Sequence, residues 1–445
     1  METLITIGQL VLSLSILIVL HEFGHFLPAR LFGTRVEKFY LFFDPYFSLF
    51  KKKIGETEYG IGWLPLGGYV KISGMIDESF DTEQMETEPQ PWEFRSKPAW
   101  QRLIIMLGGV TVNFILGFLI YSLVLFAYGE EYFPAENITA GIAVDSLGTE
   151  LGLQDGDHVL AVGAVPFDRF NDKAVLRGIA IDNARELTVR RNGSEQKIAV
   201  GEEWADVLTR YENKGARLFG PRFPFAVMDP GKQGKKKGIL KEDRVVSVNG
   251  QPTPYFHNYK QAVRGLKEQT IALGITDKDG NNARTVNMDL DEDGRMYIDP
   301  APTNYFYKTE RIEYGLLESF PAGYQQCVNF LGDQFKAFGQ MFRGKIKVSE
   351  SLGGFASIGS MFGTEWIWER FWYMTASLSL ILGFMNLLPI PALDGGHVMF
   401  LLYEVITGRK PSDTFMERAT MVGFVIVLGL VLYANGLDVW RWLFG

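Results

Sequence analysis

Cysteine is nearly absent. Cys327 is the one thiol in 445 residues, which excludes an intramolecular disulfide framework and a cysteine-rich zinc site. Histidine is scarce too, with five in the chain, so any site built on imidazole has few residues to draw on. Net charge gives no lead to nucleic acid, because the formal balance is −8. The N-terminus, Met1-Glu2-Thr3, lacks a basic cluster and is followed by no small-residue cleavage site. The apolar run behind it is therefore expected to be a retained span rather than a signal peptide.

Apolar sequence is what the chain has in quantity, 47% of its residues, and it gathers at the two ends around a polar middle. Four segments approach the ~20 residues that cross a ~30 Å hydrocarbon core. They are 4–20 ("LITIGQLVLSLSILIVL"), 103–128, 371–390 and 419–434. Trp440 and Trp442 beyond the last fit a membrane interface. The loop between spans one and two carries Arg30, Arg35, Lys51, Lys52 and Lys53, among others, and that between three and four carries Arg409, Lys410 and Arg418. Positive-inside reasoning puts both loops in the cytoplasm, and the long 129–370 region and both termini outside. A bacterial inner membrane satisfies this layout.

The outward region repeats itself. Residues 152–170, "GLQDGDHVLAVGAVPFDRF", align with 238–256, "GILKEDRVVSVNGQPTPYF". Asp157 meets Asp243, Val159 meets Val245 and Pro166 meets Pro252. Each copy reads as an acidic turn, an alternating strand, a second turn and a helical stretch. The pattern L-x-x-G-D-x-V-x-x-V resembles the core of PDZ domains, with Glu242 replacing the glycine in the second copy. PDZ domains bind extended peptides by adding a strand to a sheet edge. Neither copy has a clear carboxylate-binding loop, and the other reading is a pair of structural β-rich spacers.

The chemistry starts where span one runs without a break into His21-Glu22-Phe23-Gly24-His25. H-E-x-x-H on a helix sets two imidazoles at i and i+4 on one face, where both reach one Zn2+ at ~2.0–2.1 Å. Glu22 projects from a neighbouring direction, suited to taking a proton from water beside the metal. A plainer alternative is a helix end whose polar residues meet lipid headgroups. Against it, ionisable groups joined to a membrane span are costly and so are functional candidates. Catalytic zinc usually takes three protein ligands. Segment three leads into "GFMNLLPIPALDGGHVMF", 383–400, which offers Asp394 and His397, and spacing leaves both open. His158 and His257 fall in the outward repeats and read as surface or capping histidines.

Together, the HEFGH pentad, G-x-x-x-N from Gly109 to Asn113 and N-x-x-P-x-P-x-L-D-G from Asn386 to Gly395 resemble the site-2 protease family of intramembrane zinc metalloproteases. The resemblance covers nearly the whole chain, including "TEYGIGWLPLGGYVKISGM" after span one and "LGGFASIGSMFG" before span three. It implies that His21, His25 and Asp394 hold zinc and that Glu22 is the general base. It also implies that Asn386 holds substrate backbone, where a polar cap on a proline-broken helix is the other reading. The glycine-rich segment 65–70, with Gly67, Gly68 and Tyr69, looks like the family's membrane-associated β-hairpin and could pair with an unwound substrate. An ordinary cytoplasmic hairpin is its alternative. Two positions depart from the family pattern: Val110 stands where proline is frequent, and Asp44 where glycine is frequent.

The expected fold class is a polytopic α-helical membrane protein of four transmembrane helices with two inserted β-rich PDZ-like domains. The expected divisions are 1–128 (spans one and two), 129–215 and 216–305 (the PDZ-like pair), 306–370 (an amphipathic connector, on the membrane surface or packed) and 371–445 (spans three and four). The expected function is zinc-dependent cleavage of transmembrane segments in regulated intramembrane proteolysis. Expected partners are membrane lipid, transmembrane substrates such as a trimmed anti-sigma factor, remnant signal peptides, and peptides or ectodomains at the PDZ-like pair. A silent membrane scaffold or a metal transporter are the alternatives. Transport gives no reason for Glu22 within the pentad, and chelation-sensitive activity would exclude a scaffold.

Overall fold

The computed structural model describes residues 2–65, 67–75, 88–213 and 215–444. It divides into two compact units. The first comprises Met1–Gly129, Glu313–Phe335 and Ser351–Gly445, and the second Glu130–Ile312 and Lys336–Glu350.

The first unit is built on two 30-residue helices, α1 (Glu2–Leu31) and α2 (Ala99–Tyr128). At ~1.5 Å rise per residue each is about 45 Å long, enough to cross a membrane core. They cross where neither has a side chain. A Cβ on Gly24 would lie 2.5 Å from the Gly108 carbonyl oxygen, and one on Gly108 would overlap the Gly24 carbonyl. Pro28 contributes to this contact, because it has no N–H to offer the Gly24 carbonyl one turn back. The closest pairs run 21 with 113, 24 with 108 and 25 with 105, so the helices are antiparallel.

The helix Trp368–Asn386 packs against both. Ser13 shares a 2.9 Å hydrogen bond with Thr375, Ser379 donates to the Asn113 carbonyl, and Gly117 makes room for Leu380. Such small and hydroxyl-bearing residues are how helices adhere where lipid removes the hydrophobic drive. Three helices among the described residues are long and apolar enough to span a membrane: Glu2–Leu31, Ala99–Tyr128 and Thr414–Phe444. Trp368–Asn386 is not among them, because its first turn carries Glu369 and Arg370 and its buried face carries hydroxyls. After Asn386 the chain breaks at Pro389 and Pro391 and re-enters a helix at Asp394–Thr407.

Between α1 and α2 lies a four-stranded sheet of β1 (Val36–Leu41), β2 (Phe50–Ile54), β3 (Thr57–Ile61) and β4 (Tyr69–Ile72), ordered β2-β3-β1-β4. β4 pairs antiparallel with β1, placing Tyr69 opposite Tyr40. Of the segment 65–70, Tyr69 and Val70 lie in β4. The segment leads into the edge strand of a sheet whose hairpin is β2–β3. Leu66, within that segment, lies outside the described residues. Asp44 ties this region together, accepting from Tyr69 Oη at 2.9 Å and from Ser48 Oγ at 2.9 Å. Burial first, then Asp44, holds the Tyr69 phenol above its ordinary range, so it remains a donor.

The second unit has two β-rich modules with separate cores. Strands His158–Val162 and Val165–Pro166 of the first have counterparts Arg244–Val248 and Gln251–Pro252 in the second. Val159, Leu187 and Val189 fill one core, and Val245, Leu273 and Ile275 the other. The first core includes Leu218 and Phe219, and Phe219–Pro221 pairs with Ile142–Val144. That module thus runs past residue 215, because its last strand returns to pair with its first. The repeated aspartates cap matching turns: Asp157 accepts from the Gln154 N–H at 2.9 Å and Asp243 from the Leu240 N–H at 2.7 Å. Gly156 and Glu242 both have positive φ, 89° and 70°, so the second module places a side chain where the first has none.

The longest element of the connector is one helix, Leu316–Phe342. Up to Phe335 it belongs to the first unit, where Cys327 is buried with Tyr121 and Leu380 and Phe335 meets Phe384. From Lys336 onward it belongs to the second, where Lys336 pairs with Asp182 at 2.6 Å.

Candidate metal centre

Three donor atoms converge inside the first unit. His21 Nε2 and His25 Nε2 are 3.3 Å apart, and each is 3.4 Å from Asp394 Oδ2. A tetrahedral ion with ~2.0–2.1 Å bonds spaces its ligands ~3.3–3.4 Å apart, so the three atoms outline one face of a zinc tetrahedron. The two histidines are buried, at 8% and 7% exposure. Asp394 Oδ2 is buried and, among the described residues, accepts no well-formed hydrogen bond. A carboxylate oxygen left so, against two imidazole nitrogens, fits a cation between them. Among the described residues, His21, His25 and Asp394 form the one group with this capacity.

Local sequence explains how the donors meet. The i, i+4 spacing puts both rings on the α1 face that crosses α2. Gly109 is where those rings need space: a Cβ there would overlap His25 Nε2 and lie 2.6 Å from His21 Cε1. His25 Nδ1 is 2.8 Å from the Ile105 carbonyl, to which it donates, leaving Nε2 free to bind metal. Asp394 is delivered by the loop after Asn386, which folds tightly on itself. A Cβ on Gly395 would approach the Leu387 and Leu388 carbonyls, and one on Gly396 would lie 2.5 Å from the Ile390 oxygen. Ala392, two residues before Asp394, has a φ of 120°, a strained conformation for a residue with a side chain.

The other expected residues fall as follows. Glu22 is half-buried on α1, between the two histidines in sequence. A Cβ on Gly68 would lie 3.5 Å from Glu22 Cγ and 2.5 Å from Ile18 Cγ2, so only glycine lets the approach to β4 pass this close. Gly67 has a φ of 157° and lies against Phe43. Asn386 Nδ2 is 3.3 Å from His21 Nε2, at the rim of the donor set. His397 is not brought in. It lines a ~50 Å³ cavity with Arg102, Glu404 and Thr420, and Arg102 Nη2 donates to Glu404 at 2.5 Å there. His257 pairs with Asp155 at 3.0 Å in the second unit, and burial lowers its pKa. Asn113 was seen only as a motif position; its Nδ2 is 3.0 Å from His21 Nδ1. The i, i+4 spacing of Gly109 and Asn113, which puts both on one helix face, was the signal for it.

Two imidazoles, one carboxylate and a neighbouring glutamate on an apolar helix make the donor set of a membrane-embedded zinc hydrolase. The chain matches the model of peptidase family M50 over residues 9–430 and belongs to that family. It is 28% identical to the regulator of sigma-E protease RseP of Escherichia coli over 449 residues, covering 96% of this chain and 97% of that protein. Protease RseP of Yersinia pestis is 28% identical over 471 residues, with 97% and 98% covered. A Ralstonia nicotianae protein bearing a zinc-metalloprotease name is 26% identical over 475 residues, with 98% and 99% covered. The chain is an intramembrane zinc metalloprotease of the site-2 type, a protein of the inner membrane whose substrates are transmembrane proteins.

Proposed function

We propose that the protein spans the membrane four times and cuts substrate helices toward the cytoplasmic side, with two PDZ-like modules outside. The carrying observation is the 3.3–3.4 Å triangle of His21, His25 and Asp394, with the backbone of Gly68 against Glu22. His25 bonds to Ile105, six residues into α2, about 9 Å from that helix's start. Such a depth suits a site that reaches membrane-buried peptide bonds and still meets water.

His21, His25 and Asp394 would hold the zinc, which would supply Lewis acidity toward the scissile carbonyl. Glu22 takes the proton of the attacking water and returns it to the leaving amine. A peptide bond within a helix is already hydrogen-bonded, so the substrate must unwind first. The edge of β4 then receives the unwound strand, because among the described residues β4 has a partner, β1, on one side alone. Gly67 and Gly68 let the substrate backbone approach, and the Asn386 amide donates to it beside the metal. Substrates are a membrane-anchored anti-sigma factor already trimmed outside, remnant signal peptides, or both. The PDZ-like pair holds back substrates with bulky ectodomains.

The test is reconstitution of the full chain in proteoliposomes with a transmembrane substrate carrying either a short or a folded ectodomain. Zinc-dependent cleavage of the short form, absent in Glu22→Gln, is expected. Cleavage that survives Glu22→Gln overturns the base assignment, and equal cleavage of both substrates overturns the size filter.

A further inference from the structure

The Asn113 amide poses a contradiction that one half-turn removes. It is fully buried, with Nδ2 3.0 Å from His21 Nδ1 and Oδ1 lacking a hydrogen-bond partner among the described residues. In that orientation the amide donates, so Nδ1 must accept and the ring proton must sit on Nε2. Yet Nε2 is the nitrogen that stands 3.3 Å from His25 Nε2 and 3.4 Å from Asp394 Oδ2. A protonated Nε2 cannot bind metal. Amide oxygen and nitrogen have nearly the same shape, so orientation is assigned from the hydrogen bonds it makes.

We infer that Asn113 is turned the other way, its Oδ1 accepting from His21 Nδ1–H, so that it fixes the ring plane and tautomer of this ligand. Asn113 is then a positioning residue, acting on zinc through His21. This rests on His21 being a ligand. The partner ligand offers an independent parallel, since His25 Nδ1 faces the Ile105 carbonyl at 2.8 Å. Ile105, Gly109 and Asn113 are four residues apart, on one face of α2. That face gives an acceptor for His25, an opening for both rings, and an acceptor for His21. Ser379 Oγ donates to the Asn113 carbonyl at 2.7 Å and anchors the residue from the neighbouring helix. Other groups that orient metal-bound histidines in this way carry ~10–100-fold in metal affinity.

The experiment measures zinc affinity of the detergent-solubilised full chain by competition with a chelator. The set is wild type, His21→Ala, Asn113→Ala and Asn113→Asp. Aspartate has the shape of asparagine and accepts on both oxygens. Asn113→Ala should weaken zinc binding ~10–100-fold, and Asn113→Asp should restore it to near wild type. Cobalt substituted for zinc should give a wild-type absorption spectrum in the aspartate variant and an altered one in the alanine variant. Unchanged affinity in Asn113→Ala overturns the inference, as does an aspartate variant that binds no better than alanine. Unchanged affinity in His21→Ala overturns the ligand assignment instead, so the two failures are distinct. Should the variants not fold, histidine nitrogen NMR of the zinc-loaded wild type decides. His21 protonated at Nδ1 upholds the inference, and protonation at Nε2 overturns it.

Discussion

Asp157 and Asp243 in the β modules, and Asp394 beside the imidazoles, are all carboxylates withdrawn from water, and they are handled in opposite ways. Asp157 receives a backbone N–H and two donors of Arg191, both at 2.8 Å. Asp243 receives the Leu240 N–H and the Arg284 guanidinium. Asp394 Oδ2 receives nothing well formed, although imidazole nitrogens stand 3.4 Å away on two sides. A buried acid costs several kcal/mol unless paired. Where the pairing is complete the residue is holding a turn, and where it is left open the residue awaits a cation. Charge is alike in the two units, and Asp394 is the more exposed, at 15% against 0% and 4%, so the unfilled coordination separates chemistry from architecture.

The largest effect that would break this comparison is expected at Gly109. Gly109→Ala drives a Cβ into both imidazoles, and zinc content by elemental analysis should fall to background with cleavage lost. Zinc retained at wild-type level would mean the rings do not need that space. Next is Glu22→Gln, which should keep zinc while reducing single-turnover cleavage by at least ~10²-fold, the range for loss of a general base. In the second unit, Asp243→Ala strands the Arg284 guanidinium and frees the Leu240 N–H. It should cost about 3 kcal/mol in denaturant unfolding, the low end for broken buried pairs because Arg284 is about a third exposed, at 32%. Zinc content should not change, and zinc loss there would show that the two units are not separable. The smallest effect is a gain. Glu242→Gly relieves a left-handed residue that costs ~1–2 kcal/mol, less the ~0.5–1 kcal/mol entropy of glycine. Stability should therefore rise by about 0.5 kcal/mol, making the second turn behave like the Gly156 turn of the first.

Legibility in the sequence followed the range of the interaction. His21, Glu22 and His25 lie within one helical turn, so spacing alone sets their faces, and they stood out at once. Asp394 lies far along the chain. Spacing left it level with His397, and only its likeness to a family motif singled it out. The geometry of the glycine-rich loop, which no periodicity encodes, brings Asp394 to the triangle and leaves His397 lining a separate cavity. The likeness to the family places Tyr69 in a membrane-associated β-hairpin, a local pairing. Its strand instead pairs with residues about thirty positions earlier, a register set by Tyr40 and Asp44. The strand Phe219–Pro221 lies beyond the boundary expected at 215 for the same reason, since a closing strand is defined by its partner rather than by its own residues. Asp44 departs from the family pattern, yet it has a clear local task in binding Tyr69 and Ser48.

The side-chain-free crossing of Gly24 and Gly108 bears on how the metal comes and goes. With backbone against backbone on one side, and both imidazoles almost out of solvent, an ion has little room to leave without the helices parting. Release becomes a slow event timed by helix separation rather than by ligand affinity. A chelator added to the folded protein would then draw the ion out at a rate set by its release and independent of chelator concentration, so that competition for zinc has to be followed to equilibrium.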